Sequence, residues 1–328
     1  MTRARAARSD KTAPASPTEA GQRKSPAARR LVEDVAQRHF GEKARRVIER
    51  KGGLTNSVFE LKVSQGDFIV RTHRDPTKIN DYLKEQWAMV TARSHGVPTP
   101  EVLEVGNFPD GRPYMILQHV QGLDARMSGH RLAALASLGE VAAVLHRVPT
   151  TGFGPVFDWS GNTLSRHESW SEWLAEGFDP ERRIELLLRH RVIEPRRGAE
   201  LRRIADEMAR WRQPGVLHHG DLRLKNALVA PESGRLVAVL DWENAVSHPP
   251  PFWDLSLSLH DLGVDEKEAF LAGYGITMRA FAAALPYLRF FNVLNYAPQV
   301  EDAASRRLKD ELERFRVRLQ GGLDLYGG

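Results

Sequence analysis

Between Val216 and Glu243 two apolar segments enclose a polar loop, and this unit constrains the fold more than any other stretch of the 328 residues. Val216-Leu217-His218-His219 leads into Gly220-Asp221-Leu222-Arg223-Leu224-Lys225-Asn226, and Ala227-Leu228-Val229 returns to apolar character. A further apolar segment, Leu236-Val237-Ala238-Val239-Leu240, ends in Asp241-Trp242-Glu243. Short apolar runs bounded by polar clusters read as strands, so the polar side chains collect where strands end. Phosphoryl transfer from ATP needs such a collection. One carboxylate must receive or orient the acceptor hydroxyl's proton, and hard oxygen donors must hold Mg2+ on the phosphates. Asp221 fits the first part, and Asn226 with Asp241 fits the second. The bland alternative is a polar loop satisfied by its own hydrogen bonds. A two-metal hydrolase would need more His, Asp or Glu at ligand spacing, and the sequence offers no such cluster.

The rest of the chain divides by periodicity. A helix is expected from near Leu31 to about Phe40. Val58 to Val63 alternates Phe59, Leu61 and Val63 against Glu60 and Lys62, with a turn at Gln65-Gly66-Asp67 and a return strand from Phe68 to Thr72. Leu83, Trp87 and Val90 place a helix over Asp81 to Ser94, stopped by Gly96 to Pro98. Val102 to Gly106 and Pro113 to Val120 form another hairpin around Asp110-Gly111. After Gly122 helices dominate: 131 to 147, Ser169 to Phe178, Ala199 to Trp211, and from about Asp254 onward. Trp170, Trp173, Leu174 and Phe178 share one stripe and read as core rather than as a ligand platform. The predicted fold class is α+β, a small antiparallel β-sheet lobe with one helix over 31–120 and a larger, mainly α-helical lobe over 121–328.

Charge excludes one function class. The formal net charge is +5, yet residues 1–30 hold eight basic and two acidic side chains, a balance of +6, so the remainder stands at −1. The basicity belongs to an Ala-, Pro-, Ser- and Arg-rich tail over 1–30, expected to be disordered, and gives no reason to expect nucleic-acid binding by the folded part. That tail reads as a dispensable extension, with contact to an acidic partner or organelle targeting as alternatives. No apolar run reaches the length of a membrane span, and cysteine is absent, so disulfides and thiolate metal sites are excluded. A cytoplasmic protein without membrane attachment is expected; the oligomeric state is left open.

His219-Gly220-Asp221, with Asn226 five positions after the Asp and Leu240-Asp241-Trp242-Glu243 beyond, resembles the signature of the aminoglycoside phosphotransferase and choline kinase-like enzymes. Protein kinases carry a related pattern with Arg in place of Gly220. Neither Asp-Phe-Gly nor Ala-Pro-Glu follows Asp241, which argues against a protein kinase. The resemblance covers roughly residues 45 to 260. It implies a bilobal protein-kinase-like fold, ATP and Mg2+ as cofactors, Asp221 as catalytic base, and Asn226 and Asp241 as metal ligands. Asp254 then braces the catalytic loop and His219 holds it. Arg223 and Lys225 stand where a cation would neutralise the transferring phosphoryl group, or else form a solvent-facing basic loop.

In the first lobe the resemblance implies a nucleotide site. Lys51 to Ser57 would fold over the phosphates, with Gly53, Thr55 and Asn56 as contacts, though Gly-Gly before a strand also makes an ordinary turn. Arg71 takes the place of the phosphate-binding cation, with Glu85 as its partner, and backbone groups from Gln118 to Val120 face the adenine edge. The acceptor is a small molecule bearing a hydroxyl, such as an aminoglycoside-like antibiotic or an amino-alcohol or sugar metabolite. Glu168, Glu172, Glu176, Asp179, Asp261, Asp265 and Glu266 would suit a cationic one. The alternative is a catalytically silent ATP-binding pseudokinase or regulatory module.

Overall fold

The structure, a computed structural model, describes residues 26–50, 57–155 and 167–323. Helix α1 (Pro26–Phe40) opens it, five residues before the start expected at Leu31. Pro at a first helical turn followed by two alanines accounts for the earlier start, and moves Arg29 and Arg30 out of the tail into a helix. Residues 1–25 lie outside the described residues.

Five strands follow: β1 (Arg46–Arg50), β2 (Ser57–Val63), β3 (Gly66–Thr72), β4 (Val102–Asn107) and β5 (Pro113–Gln118). They pair antiparallel in the order β1-β2-β3-β5-β4. Val63 pairs with Gly66, so the first hairpin turns at Ser64-Gln65 and not at Gln65-Gly66-Asp67. Gly66 itself opens β3 at φ 146°, backbone that favours glycine. Phe59, Leu61 and Val63 are buried as the alternation predicts, but Glu60 is buried too, because Arg50 and Lys62 on either side neutralise it. β5 is buried on both faces: Tyr114 and Ile116 join a core beneath α1, while Met115 and Leu117 join a second, larger core.

Between β3 and β4 runs α2 (Ile79–Ser94), entered through a tight turn whose Asp75 carboxylate accepts the Thr77 N–H at 2.9 Å. Its buried face is Tyr82, Glu85, Ala88, Met89 and Ala92, whereas Val90 is 55% exposed. The stripe read from Leu83, Trp87 and Val90 was therefore rotated: a buried Glu inside the true face hides it from hydrophobic counting.

The helical part begins with β6 (Leu123–Asp124), α3 (Arg131–Leu145) and α4 (Trp170–Glu172), which continues as a π-helical segment over Trp173–Phe178. Trp170, Trp173, Leu174 and Phe178 are all buried. Next come α5 (Pro180–Arg189) and α6 (Pro195–Met208), the latter starting at a proline four residues before the expected Ala199. Strands β7 (Val216–His218), β8 (Ala227–Val229), β9 (Leu236–Val239) and β10 (Val246–His248) make two small antiparallel sheets, β10-β7 and β6-β8-β9. Helices α7 (Phe252–Ser258), α8 (Val264–Tyr274), α9 (Met278–Leu294), α10 (Ala297–Ser305) and α11 (Lys309–Leu323) close the fold. α3 and α8 meet at glycines: a Cβ on Gly139 would stand 2.0 Å from the Phe270 carbonyl oxygen, and one on Gly273 would stand 1.9 Å from that of Ala136.

Candidate active site

The loop after β7 is built around Gly220, which adopts φ 79°, and whose Cβ, if it had one, would meet the Asn244 carbonyl oxygen at 2.0 Å. Both conditions exclude any other residue. Asp254, in the first turn of α7, accepts the backbone N–H groups of His219 (2.9 Å) and Gly220 (2.7 Å). Burial by itself would raise its pKa, but the hydrogen bond from His146 holds the carboxyl well below the usual carboxylate range. His146 Nε2–H reaches Asp254 at 3.4 Å, and its Nδ1 receives the Tyr274 hydroxyl at 2.9 Å, a tautomer assigned from these partners. His218 Nδ1 accepts the Asp254 N–H at 3.3 Å.

His146, His218 and Asp254 thus form a buried cluster of potential metal ligands that sequence spacing did not reveal. Asp254, both nitrogens of His146 and Nδ1 of His218 have protein partners, which makes the cluster a brace for the loop, while the buried Nε2 of His218 has none among the described residues. His219 bridges onward: its Nε2–H donates to the Leu240 carbonyl at 3.0 Å, and Nδ1 accepts the Asp221 N–H at 3.2 Å. Burial pushes the pKa of His219 down, so its ring is neutral.

Asp221 is buried, with its carboxylate between two cations. Arg223 pairs with Oδ1, and Lys225 Nζ lies 2.6 Å from Oδ2. Leu222 and Leu224 point into the core, and the Ser258 hydroxyl donates to the Leu222 carbonyl at 2.6 Å. Asn226 Nδ2 donates to the Asp221 carbonyl (2.9 Å) and to Oδ2 (3.0 Å), which leaves its amide oxygen as a donor for a cation. The N–H of Leu240 donates to the Asn226 carbonyl at 2.8 Å, and so brings Asp241 beside Asn226. Asp241 sits at φ 66°, an uncommon conformation for a residue with a side chain. The turn is pinned by the fully buried Trp242, whose indole N–H donates to the Val239 carbonyl at 3.1 Å.

Across the cleft, Arg71 on β3 grips Glu85 on α2 through two contacts, Nη1–Oε2 at 2.5 Å and Nη2–Oε1 at 3.3 Å. Burial would lower the Arg71 pKa, but the Glu85 carboxylate raises it, while burial pushes the Glu85 carboxyl up against the pull of Arg71. Next to Glu85, the buried Lys84 reaches the other way and donates to the Glu243 carbonyl at 2.7 Å. The Glu243 side chain lies 4.0 Å from Arg71.

A cavity of about 730 Å³ separates the sheet from the helical part. Ile69, Met89, Leu117 and Leu228 supply apolar walls; Arg71, Lys225, Asp241 and Glu243 stand at its polar end; residues 118–122 form one rim. Of the hinge positions named from the sequence, Gln118 is not free: its N–H donates to the Glu101 carbonyl at 2.8 Å. Gln118 and Val120 both line the cavity. Gly53, Thr55 and Asn56 lie outside the described residues.

A second cavity of about 520 Å³ opens on the opposite side of the loop over 219–226, lined by Asp221, Arg223, Lys225 and Glu243. Trp173, Phe178 and Trp253 line it too, so two of the aromatics read as core also face a site. None of the seven acids expected to suit a cationic acceptor lines it. Glu266 pairs with Arg131, Asp261 with Arg318, and Asp179 caps α5 by accepting the Arg182 N–H at 3.2 Å. These three acids have partners elsewhere, which sequence position could not show, and Glu176 and Asp179 line a smaller adjoining recess.

The model of the phosphotransferase enzyme family matches residues 46–291. Hygromycin-B 4-O-kinase of Escherichia coli is 23% identical over 203 residues, 59% of this chain and 56% of that protein. The chain thus spans about half the length of this curated relative. Among solved structures, aminoglycoside phosphotransferase APH(4)-Ia superposes with a TM-score of 0.67 at 18% identity, covering 91% of this chain and 99% of that one. The GDP and kanamycin complex of APH(2")-IIIa superposes with a TM-score of 0.62 at 15% identity over 88% and 97%. Among the described residues no helix is long and apolar enough to cross a membrane. A family model that spans most of the chain and a shared kinase-like α+β fold make this protein a member of the phosphotransferase enzyme family.

Proposed function

We propose that the protein is an ATP- and Mg2+-dependent small-molecule kinase that moves the γ-phosphate onto a hydroxyl of its acceptor. The observation that carries this reading is the meeting of two cavities at one loop. Lys225 and Glu243 line both, Asp241 lines the interlobe cavity, and Asp221 lines the other. A nucleotide in the first faces an acceptor in the second across that point. The part over 31–120 contributes the Arg71–Glu85 pair at the phosphates and that over 121–328 the catalytic and acceptor groups. The names of related structures record complexes with AMP-PNP, ADP and GDP, which supports a nucleotide donor.

In the transfer the acceptor oxygen bonds to the γ-phosphorus, the bond to the bridging oxygen of ADP breaks, and the hydroxyl proton passes to Asp221. Lys225, common to both cavities, opposes the charge on the phosphoryl oxygens, and Arg223 holds the Asp221 carboxylate from the acceptor side. Asn226 and Asp241 offer the hard oxygens that Mg2+ prefers, and the amide oxygen of Asn226 is the one not engaged by Asp221. Mg2+ held there supplies neutralisation of phosphate charge. A silent pseudokinase is disfavoured because Asp221, Asn226 and Asp241 are all present and adjoin.

The test is phosphate transfer from Mg·ATP to a panel of acceptors, with hygromycin B as the reference compound and amino alcohols and sugars beside it. Asp221→Ala is expected to lower turnover by about 10²–10⁴-fold while AMP-PNP affinity and circular dichroism stay unchanged. Undiminished turnover in that variant would reject Asp221 as base, and the same result for Arg223→Ala would remove Arg223 from the chemistry.

A further inference from the structure

The acceptor cavity holds a cation that phosphoryl transfer does not use. Arg183, on α5, is mostly buried with its guanidinium 4.4 Å above the Phe178 ring. Its protein partners are two carbonyl oxygens: Nε–H donates to Phe178 and Nη1–H to Leu294, the latter at 3.1 Å. Nη2 has no hydrogen-bond partner among the described residues. Burial pushes the Arg183 pKa down, with Asp179 the one acid acting against it, and Asp179 is committed to capping α5. A desolvated guanidinium with a free N–H presented to a cavity is the ordinary receptor for a carboxylate.

The rest of the wall points the same way. Among the described residues the only carboxylates lining the cavity are Asp221 and Glu243. Asp221 is already opposed by Arg223 and Lys225, and Glu243 lies near Arg71. The described lining carries three cations, Arg183, Arg223 and Lys225, against these two carboxylates, a net positive balance that disfavours a polyamine. Trp173, Phe178 and Trp253 instead offer flat apolar faces to a ring.

We propose that the acceptor is a hydroxylated ring compound carrying a carboxylate, which docks on Arg183 and turns its hydroxyl toward Asp221. This rests on the phosphotransferase reading and specifies the class of its substrate. The competing arrangement uses the adjoining recess of about 130 Å³, where Glu176 and Glu301 would receive an amine beyond Arg183.

The two are separated by a matched pair of probes, p-nitrophenyl β-D-glucuronide and p-nitrophenyl β-D-glucoside, which differ in a carboxylate against a hydroxymethyl group. Hygromycin B serves as the polycationic comparator. Each is titrated calorimetrically into the whole protein saturated with Mg·AMP-PNP. The glucuronide is expected to bind about tenfold or more tighter than the glucoside, with Arg183→Gln erasing the difference and Arg183→Lys keeping part of it. AMP-PNP binding in the same titrations reports that each variant is folded. Equal binding of the two glycosides, binding of neither, or hygromycin B binding tighter than the glucuronide each overturns the proposal. Failure of the phosphotransferase reading shows separately, as loss of Mg·AMP-PNP binding by the unaltered protein.

Discussion

Asp221, Asn226 and Asp241 were legible because backbone hydrogen bonds in this loop join positions that the sequence already displays in order. Their supports were not. Tyr274 and His146 meet across 128 positions and Lys84 and Glu243 across 159, so no local pattern marks them. The buried imidazoles have a measurable consequence. Burial pushes His248 down to about 3 from an ordinary 6.5, and pushes His218 and His219 down as well. A lowered histidine pKa means that the unfolded chain binds the proton first. The stability these rings contribute is therefore complete above pH 6.5 and is lost as pH falls toward their folded values. Each group contributes a slope of about 1.4 kcal/mol per pH unit in that window. His248 lies among Trp170, Trp253 and Phe291, so phenylalanine is the natural replacement. Thermal melts between pH 7 and 4 should show a steep fall for the unaltered protein and a shallower one for His248→Phe. Parallel curves would contradict this account.

The elements divide into those whose periodicity announces them and those that another element corrects. The β2–β3 and β4–β5 hairpins followed from alternation and turn residues, with the first turn lying at Ser64-Gln65 and not at Gln65-Gly66-Asp67. α2 was found but rotated, since its inward face carries the charges that join β3 to the turn after Asp241. Glu85 faces Arg71 and Lys84 faces the Glu243 carbonyl, so one helix holds both walls of the interlobe cavity. The contact of α3 with α8 shows the opposite case, in which small residues matter for what they omit. α3 ends beside His146 and α8 ends at Tyr274, so the glycine contact positions the two side chains that steady Asp254. Gly139→Ala would drive a methyl group into the Phe270 carbonyl, at a cost of about 1–3 kcal/mol. Gly129→Ala, at a position with open space, is the control. A melting temperature for Gly139→Ala equal to that of Gly129→Ala would show that the helices yield freely.

At the scale of the molecule, β5 separates two cores by alternating residues, and the larger core runs from the inner face of the sheet into the helices. The two-part architecture was legible from the change in periodicity after Gly122. The cavities were not, because each draws its walls from both parts or from both ends of the helical one. Their meeting point at Lys225 and Glu243 has a thermodynamic consequence. A ligand in either cavity alters the surroundings of the same two charged side chains, so occupancy of one site changes the affinity of the other. Such coupling is reciprocal: the factor by which nucleotide shifts acceptor affinity must equal the factor by which acceptor shifts nucleotide affinity. Calorimetric titrations of AMP-PNP with and without a bound acceptor, and the reverse pair, are expected to return one common factor different from unity, and a factor closer to unity in Lys225→Met, where Glu243 alone is still shared. The two substrates would then be partners in a thermodynamic cycle, each measuring the presence of the other before any phosphate moves.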